Sequence, residues 1–212
     1  MARYEQGYLG DFSGKLGKAV GSKWRGVAYI RTKSSNRSNA KTPKQLEQQA
    51  KFKIGRAFAR AMHNVFSLGF KDQAVKMTGA NYGLSYVMNN AITGANPNFT
   101  IDYSKVLVSQ GTLPNEADLK LAVSSSNGAI QFTWDFNPDD KELNPTDQAV
   151  LVAYCPEKNK AAFVINATRS DKLATLRASH FTGKEVHTWL SFIAANGSKL
   201  CDSAYVGKLT VT

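Results

Sequence analysis

Apolar and polar residues alternate along most of the chain after about residue 99, and this period of two predicts β-strands. The segments LKLAVSS and AIQFTWDF flank Asn127-Gly128, a dipeptide typical of tight hairpin turns. The inward face of this predicted hairpin comprises Leu119, Leu121, Val123, Ile130, Phe132 and Trp134. AVLVAYC with AAFVINA forms a second pair, and the segment from Glu185 through Asn196-Gly197 forms a third. Such regularly spaced short strands predict an antiparallel β-sandwich.

Before residue 99 the apolar residues recur every three or four positions, which predicts α-helices. Thr42 is a suitable N-cap, Pro43 suits the first helical position, and Gln45 completes a capping box. We expect one amphipathic helix of about 24 residues that ends before Gly69. A shorter helix is predicted around residues 82–91.

Residues 1–40 are rich in Gly, Lys, Arg and Ser. KAV and KWRGVAYIR, on either side of Gly21-Ser22, predict a short β-hairpin. Trp24 and Tyr29 are then expected on opposite faces of its second strand. The segment SSNRSNAK has no apolar period and is predicted to be a linker.

These patterns together predict an α+β fold in two domains. A basic N-terminal hairpin and helical region occupies residues 1–98, and the β-sandwich occupies residues 99–212.

Charge is distributed unevenly between the two ends of the chain. The 212 residues carry a net charge of +11, but residues 1–80 hold sixteen Lys/Arg against four Asp/Glu, whereas residues 81–212 hold eleven against twelve. A one-sided excess of this kind is typical of a surface that contacts a polyanion. The candidate basic residues are Lys15, Lys18, Lys23, Arg25, Arg31, Lys33, Arg37, Lys53, Arg56 and Arg60. Trp24 and Tyr29 are candidates for stacking on bases.

Two other interpretations of the basic region remain open. It is equally compatible with a solvated basic face in which Trp24 belongs to a core, and with an extended arm that crosses a neighbouring subunit.

No catalytic or cofactor motif is recognisable in the sequence. Gly14-Lys15 and Gly17-Lys18 lack both the following Ser/Thr and the preceding glycine of a phosphate-binding loop. His63, His180 and His187 lack a second ligand at metal spacing, and we expect His187 to face outward from a strand. We therefore expect no enzyme activity, no cofactor and no metal.

An acidic segment and two cysteines have ordinary structural explanations. Asp139, Asp140, Glu142 and Asp147 lie in a Pro-flanked segment without EF-hand spacing, so we expect a solvated loop. Cys155 and Cys201 lie in apolar strands, which favours buried, reduced thiols. No signal-peptide or membrane-spanning segment is evident, so we expect a cytoplasmic or virion-associated protein with no membrane partner.

The block GKLGKAVGSKWRG, followed by YIRTK and TPKQLEQQAKF, resembles the N-terminal half of an uncharacterised protein family from Bacteroidota. This Gly-rich hairpin and T-P-x-Q helix are also similar to a segment of hypothetical phage and mobile-element proteins; the resemblance covers residues 9–66. Trp134 and DSAYVGKLTV are generically similar to immunoglobulin and fibronectin type III sandwiches, which implies an immunoglobulin-like β-sandwich. Cys155 and Cys201 do not bracket Trp134, unlike the cysteines of antibody domains. The resemblance implies no established activity.

The leading hypothesis is a non-catalytic structural or assembly protein, a component of a phage-type or mobile-element particle. Its basic arm would contact nucleic acid or acidic neighbouring subunits, with homo-oligomer or particle assembly. The alternative is a soluble, sequence-nonspecific nucleic-acid-binding protein. Fold class alone does not distinguish them.

Overall fold

The computed structural model describes residues 3–4, 11–33, 41–114, 122–140 and 142–212. The chain divides into two compact units, Met1–Leu46 and Glu47–Thr212. The domain boundary predicted between residues 98 and 99 is internal to the second unit.

The first unit contains an antiparallel sheet in the order β1-β2-β3-β4. Its strands are β1 (Arg3–Tyr4), β2 (Phe12–Leu16), β3 (Ala19–Trp24) and β4 (Val27–Thr32). The turn between β3 and β4 is Arg25-Gly26, with φ values of 46° and 83°. Consecutive positive φ angles, with glycine second, suit a two-residue hairpin turn.

The predicted turn at Gly21-Ser22 is wrong, because both residues lie within β3. Gly21 pairs with Gly14 on one side and with Ile30 on the other. A Cβ atom on Gly21 would lie 2.2 Å from the Phe12 carbonyl oxygen and 2.7 Å from its ring. This glycine therefore allows β2 to approach β3 closely, and it does not reverse the chain.

The second unit contains most of the helical residues, in α1 (Pro43–Ala61), α2 (His63–Gly69) and α3 (Gly79–Asn90). The predicted capping box forms: the Gln45 N–H donates to Thr42 Oγ1 at 3.3 Å, and the Thr42 N–H donates to Gln45 Oε1 at 3.0 Å. The prediction of one uninterrupted helix is wrong, since Met62 has φ −89° and ψ 10° and separates α1 from α2. The buried apolar period continues through Met62, which explains why the sequence reads as one helix.

The remaining strands of the second unit form antiparallel sheets. Their bounds are β5 (Ile92–Ala95), β6 (Asn98–Ile101), β7 (Ala122–Ser126), β8 (Ala129–Thr133), β9 (Gln148–Cys155), β10 (Lys160–Thr168), β11 (Leu173–Arg177), β12 (Glu185–Ile193) and β13 (Ala204–Thr210). Four strands pair in the order β10-β9-β12-β13, three in the order β11-β8-β7, and β5 pairs with β6. The described residues thus combine helices with antiparallel sheets, an α+β fold.

The predicted hairpin at Asn127-Gly128 forms between β7 and β8, with φ values of 51° and 72° in the turn. Val123 lies opposite Phe132, and Phe132 and Ile130 are fully buried. Leu119 and Leu121 lie outside the described residues.

Strand β9 lies between two hydrophobic clusters and is buried on both faces. Val150, Val152 and Tyr154 pack in a cluster with Phe58 and other helical residues. Leu151 and Ala153, which alternate with these residues along β9, pack in a second cluster with residues of β8 and β11. The second unit therefore consists of a helical layer, the four-stranded sheet and the three-stranded sheet. Each large side chain that is fully buried between these layers contributes about 1.5–3 kcal/mol to the free energy of unfolding.

Candidate polyanion-binding surface

The register of the N-terminal sheet determines which candidate side chains share a face. Lys15 lies opposite Val20, which lies opposite Arg31. In the same sheet Trp24 lies opposite Val27, and Ser22 lies opposite Tyr29. Directly opposed residues of antiparallel strands project from the same face. We define the Trp24 face as Lys15, Val20, Ser22, Trp24, Val27, Tyr29 and Arg31.

The expectation that Trp24 and Tyr29 lie on opposite faces is therefore wrong. That expectation assumed one strand from Lys23 to Arg31, whereas the chain reverses at Arg25-Gly26. The reversal makes Tyr29 a diagonal cross-strand neighbour of Trp24, at about 7–8 Å between backbone positions, within reach of aromatic side chains.

The aromatic side chains of the Trp24 face are accessible. Trp24 is 55% exposed, Tyr29 is 44% exposed and Val27 is 52% exposed. The interpretation that Trp24 belongs to a core is wrong at this exposure, because a core indole would be largely buried.

The other described basic candidates of the first unit lie at the two ends of the sheet or on its opposite face. Lys18 is in the β2–β3 turn, and the Lys33 N–H donates to the Lys18 carbonyl at 2.7 Å, so both lie at one end of the sheet. Arg25 is in the turn at the other end. Lys23 lies on the opposite face, with its ammonium 3.6 Å from the Asp11 carboxylate. Arg37 lies outside the described residues.

Few of these cations have a carboxylate partner among the described residues. Within residues 11–33, Lys23 pairs with Asp11, whereas Lys15, Arg31 and the other basic side chains form no ion pair with a described carboxylate. Exposed cations without local counter-charges produce a positive potential that attracts anions.

The basic stripe on the helices belongs to the second unit. Lys53, Arg56, Arg60 and His63 are exposed, on the side of the helices opposite buried Phe58. None of the four forms an ion pair with a described carboxylate, unlike Lys51, whose ammonium is 2.9 Å from Glu47. The spacing of three and four residues in the sequence correctly predicted this arrangement.

His187 is buried at 9% exposure, so the expectation that it faces outward is wrong. Its Nδ1 lies 2.9 Å from the Tyr205 hydroxyl, and its ring stacks on Tyr103 at 3.9 Å between centroids. Burial lowers the pKa of His187. Strand β12 is buried on both faces from Val186 to Ile193, although this segment includes the polar residues His187, Thr188 and Ser191.

The acidic segment is only partly a solvated loop. Asp139 and Glu142 are exposed, but Asp147 is buried, and its Oδ2 lies 3.5 Å from Nη2 of buried Arg169. Burial raises the pKa of Asp147, and the guanidinium of Arg169 opposes that shift. Asp147 therefore belongs to a buried ion pair, which its exposed sequence neighbours did not indicate.

Potential reactive groups elsewhere are dispersed. Cys155 and Cys201 are buried free thiols, as predicted.

An open groove of about 560 Å³ lies between β10 and β11. It is lined by Phe163, Asn166, Arg177 and neighbouring residues, and none of these is a carboxylate, a histidine or a cysteine. The described residues contain no group of three His, Cys, Asp or Glu side chains that could hold a metal ion. No helix in the described part is long and apolar enough to cross a membrane.

Comparison with known proteins gives the family of this chain. No curated protein matches the sequence. Among solved structures, the chain is similar to the solution structure of the fn3 domain of the human collagen alpha-1(XX) chain, with 14% identity, a TM-score of 0.34, and coverage of 49% of this chain and 88% of that one. A family model described as a family of unknown function matches residues 11–207. Since this match spans most of the sequence, the chain belongs to the DUF6266 family.

Proposed function

We propose that this protein is a non-catalytic structural or assembly protein whose basic N-terminal strands contact nucleic acid or an acidic neighbouring subunit. The observation that carries the proposal is the Trp24 face, where exposed aromatic rings lie beside exposed cations.

Charge supports a partner other than a second copy of this chain. Residues 1–46 contain ten Lys/Arg against two Asp/Glu, while residues 47–212 contain seventeen against fourteen. Neither segment is acidic, so the basic strands gain little electrostatic attraction from another copy. A polyanion would neutralise the excess positive charge of the basic strands.

The low burial of the N-terminal sheet also supports a contact role. Among residues 11–33, Gly21 is the only buried residue, and apolar side chains such as Leu16 and Ile30 are 53% and 67% exposed. A sheet that buries so little apolar surface gains little stability by itself. Covering it with a partner would supply the missing burial.

In the narrower form of this proposal, the protein is a phage-type or mobile-element particle component of Bacteroidota. It would be cytoplasmic before assembly and virion-associated afterwards. Flanking capsid or tail genes would support this form, and an unrelated metabolic neighbourhood would contradict it.

Salt-dependent binding tests the polyanion contact. Fluorescence anisotropy of labelled single-stranded and double-stranded DNA is measured with the full chain between 50 and 200 mM salt. We expect affinity to fall steeply with salt, and the Lys15→Gln/Lys18→Gln/Arg31→Gln variant to reduce the log–log slope on single strands by about two, since each phosphate contact contributes about 0.7.

A matched variant controls for net charge. Lys160→Gln/Lys172→Gln/Lys199→Gln removes three exposed lysines of the second unit and should leave the slope unchanged. Equal losses in both variants would contradict a localised surface. Light scattering at high concentration, with and without nucleic acid, tests assembly: a strict monomer under both conditions would contradict it.

A further inference from the structure

We infer that the Trp24 face binds single-stranded nucleic acid, with bases stacked on Trp24 and Tyr29 and backbone phosphates held by Lys15 and Arg31. This inference rests on the proposed polyanion contact and specifies its partner. It follows from the strand register and the Arg25-Gly26 turn, which place the four side chains on one face of the sheet.

The first supporting observation is the free surface of the two rings. Each is about half exposed, and in the described part of the chain neither packs against another aromatic ring. Their positions on neighbouring strands form a platform for successive bases, which stack on aromatic side chains with little sequence preference.

The second observation is the arrangement of charge around that platform. Lys15 and Arg31 lie in one cross-strand row on the outer strands β2 and β4, separated by Val20 on β3. Strand spacing places their backbones about 9–10 Å apart. Along β4, Arg31 is two residues from Tyr29, so its guanidinium can approach the backbone of a nucleotide whose base lies on that ring.

The two exposed rings favour single strands over duplexes. A base pair inside a duplex has both faces covered by its neighbours, so exposed rings on a sheet surface cannot stack on it without unstacking. Two-stranded β-ribbons can enter a major groove, but there the rings of Trp24 and Tyr29 would have no base face to stack on, so the stacking contact selects the single strand.

An acidic protein segment is the competing partner, because it would also use Lys15 and Arg31. It offers carboxylates but no flat π surface for two adjacent rings. The aromatic pair therefore favours nucleic acid, and it also provides the test.

The experiment measures anisotropy of fluorescein-labelled oligo(dT) and of a length-matched duplex with the full chain at low salt. We expect wild type to bind the single strand more tightly. Trp24→Leu/Tyr29→Leu keeps apolar bulk but removes the rings, and should weaken single-strand binding at least roughly tenfold while leaving the salt slope unchanged.

Two controls make the result specific. Trp24→Phe/Tyr29→Phe keeps two rings and should retain most of the binding, which distinguishes stacking from misfolding of the sheet. Phe163→Ala removes an exposed aromatic side chain of the second unit and should change nothing.

Each remaining outcome contradicts a different statement. Unchanged single-strand binding by the Leu variant overturns the stacking inference, but the proposed function survives if Lys15→Gln/Arg31→Gln still lowers the salt slope. Binding of wild type to poly-glutamate but not to oligo(dT) overturns the inference in favour of an acidic protein partner. Absence of binding to either polyanion overturns the proposed function as well.

Discussion

His187 occupies a buried site where a protonated imidazole would be poorly solvated. It contacts Tyr103 and Tyr205, with the Glu185 carboxylate and the Lys208 ammonium as the nearby charges. Burial is the main cause that lowers its pKa; Lys208 lowers it further, and Glu185 opposes. A neutral His187 is therefore part of the folded state.

This predicts a loss of stability in mild acid. Above the usual His pKa of about 6.5, folded and unfolded chains both carry neutral imidazole, so this residue adds no pH dependence. Below pH 6.5 the unfolded chain binds the proton preferentially, and stability falls until the pH passes the lower folded pKa. Urea midpoints from pH 7.5 to 5.0 should decline in wild type and in His63→Gln, and decline less in His187→Gln. An equal decline in His187→Gln would contradict the prediction.

The buried pair of Arg169 and Asp147 is a second residue-scale feature. Nη2 of Arg169 also donates to the Pro114 carbonyl at 3.1 Å, and the guanidinium lies 4.1 Å from the Phe192 ring centroid. The Arg169 side chain therefore neutralises a buried carboxylate, donates a hydrogen bond to a backbone carbonyl and packs on an aromatic ring.

Removing the guanidinium should be costly. Arg169→Met leaves the Asp147 carboxylate buried without its counter-charge, so we expect a loss of about 3–5 kcal/mol in the free energy of unfolding, measured by urea denaturation. Adding Asp147→Asn should recover part of it. Lys208→Met removes an exposed partner of Glu185 and should cost at most about 1 kcal/mol. A similar loss in Lys208→Met and Arg169→Met would contradict the assignment.

At the scale of elements, local chemistry was predictable where one residue pair determines the backbone. Asn127-Gly128 and the Thr42–Gln45 capping box both formed as their residue types indicate. Gly21 misled the prediction, because a glycine permits both a turn and a close strand approach and the sequence does not distinguish them. The composition of the Trp24 face followed from the turn position, so it could not be derived before that position was known.

The close approach at Gly21 gives an element-scale prediction. Gly21→Ala places a methyl group against the Phe12 carbonyl and ring, so β2 must move away from β3. We expect faster amide hydrogen exchange in peptides from residues 11–16 and weaker oligo(dT) binding, with an unchanged melting temperature of the second unit.

Ser22→Ala is the matched control for that experiment, since it alters the next residue of β3 without adding a side-chain carbon. It should keep wild-type exchange in β2. Wild-type protection in Gly21→Ala would show that the strands tolerate the methyl group.

At the scale of the whole molecule, the alternation of residues predicted the strands but not the layer on their second face. We expected His187 to face outward from its strand, yet it is buried against Tyr103 and lies opposite Tyr154, which packs on Phe58 of α1. Tertiary packing decides which face of a sheet is outside. A continuous apolar run such as AVLVAYC in β9 indicates that both faces are covered, whereas the polar residues within β12 obscured this. The charge asymmetry, by contrast, is a sum over residue types, so it could be calculated from the sequence alone.

The distribution of buried residues gives the last prediction. Within the part of the chain that the structure describes, both hydrophobic clusters consist of residues from Phe58 onward. Deleting residues 1–40 keeps the Thr42 cap and should leave the cooperative thermal transition in place. The affinity for DNA should fall to that of the Lys15→Gln/Lys18→Gln/Arg31→Gln variant. Circular dichroism and anisotropy measure the two properties independently. If the truncated chain loses its transition, the second unit needs the N-terminal strands to fold; if it folds but binds DNA as before, the basic surface of α1 and not the Trp24 face is the contact.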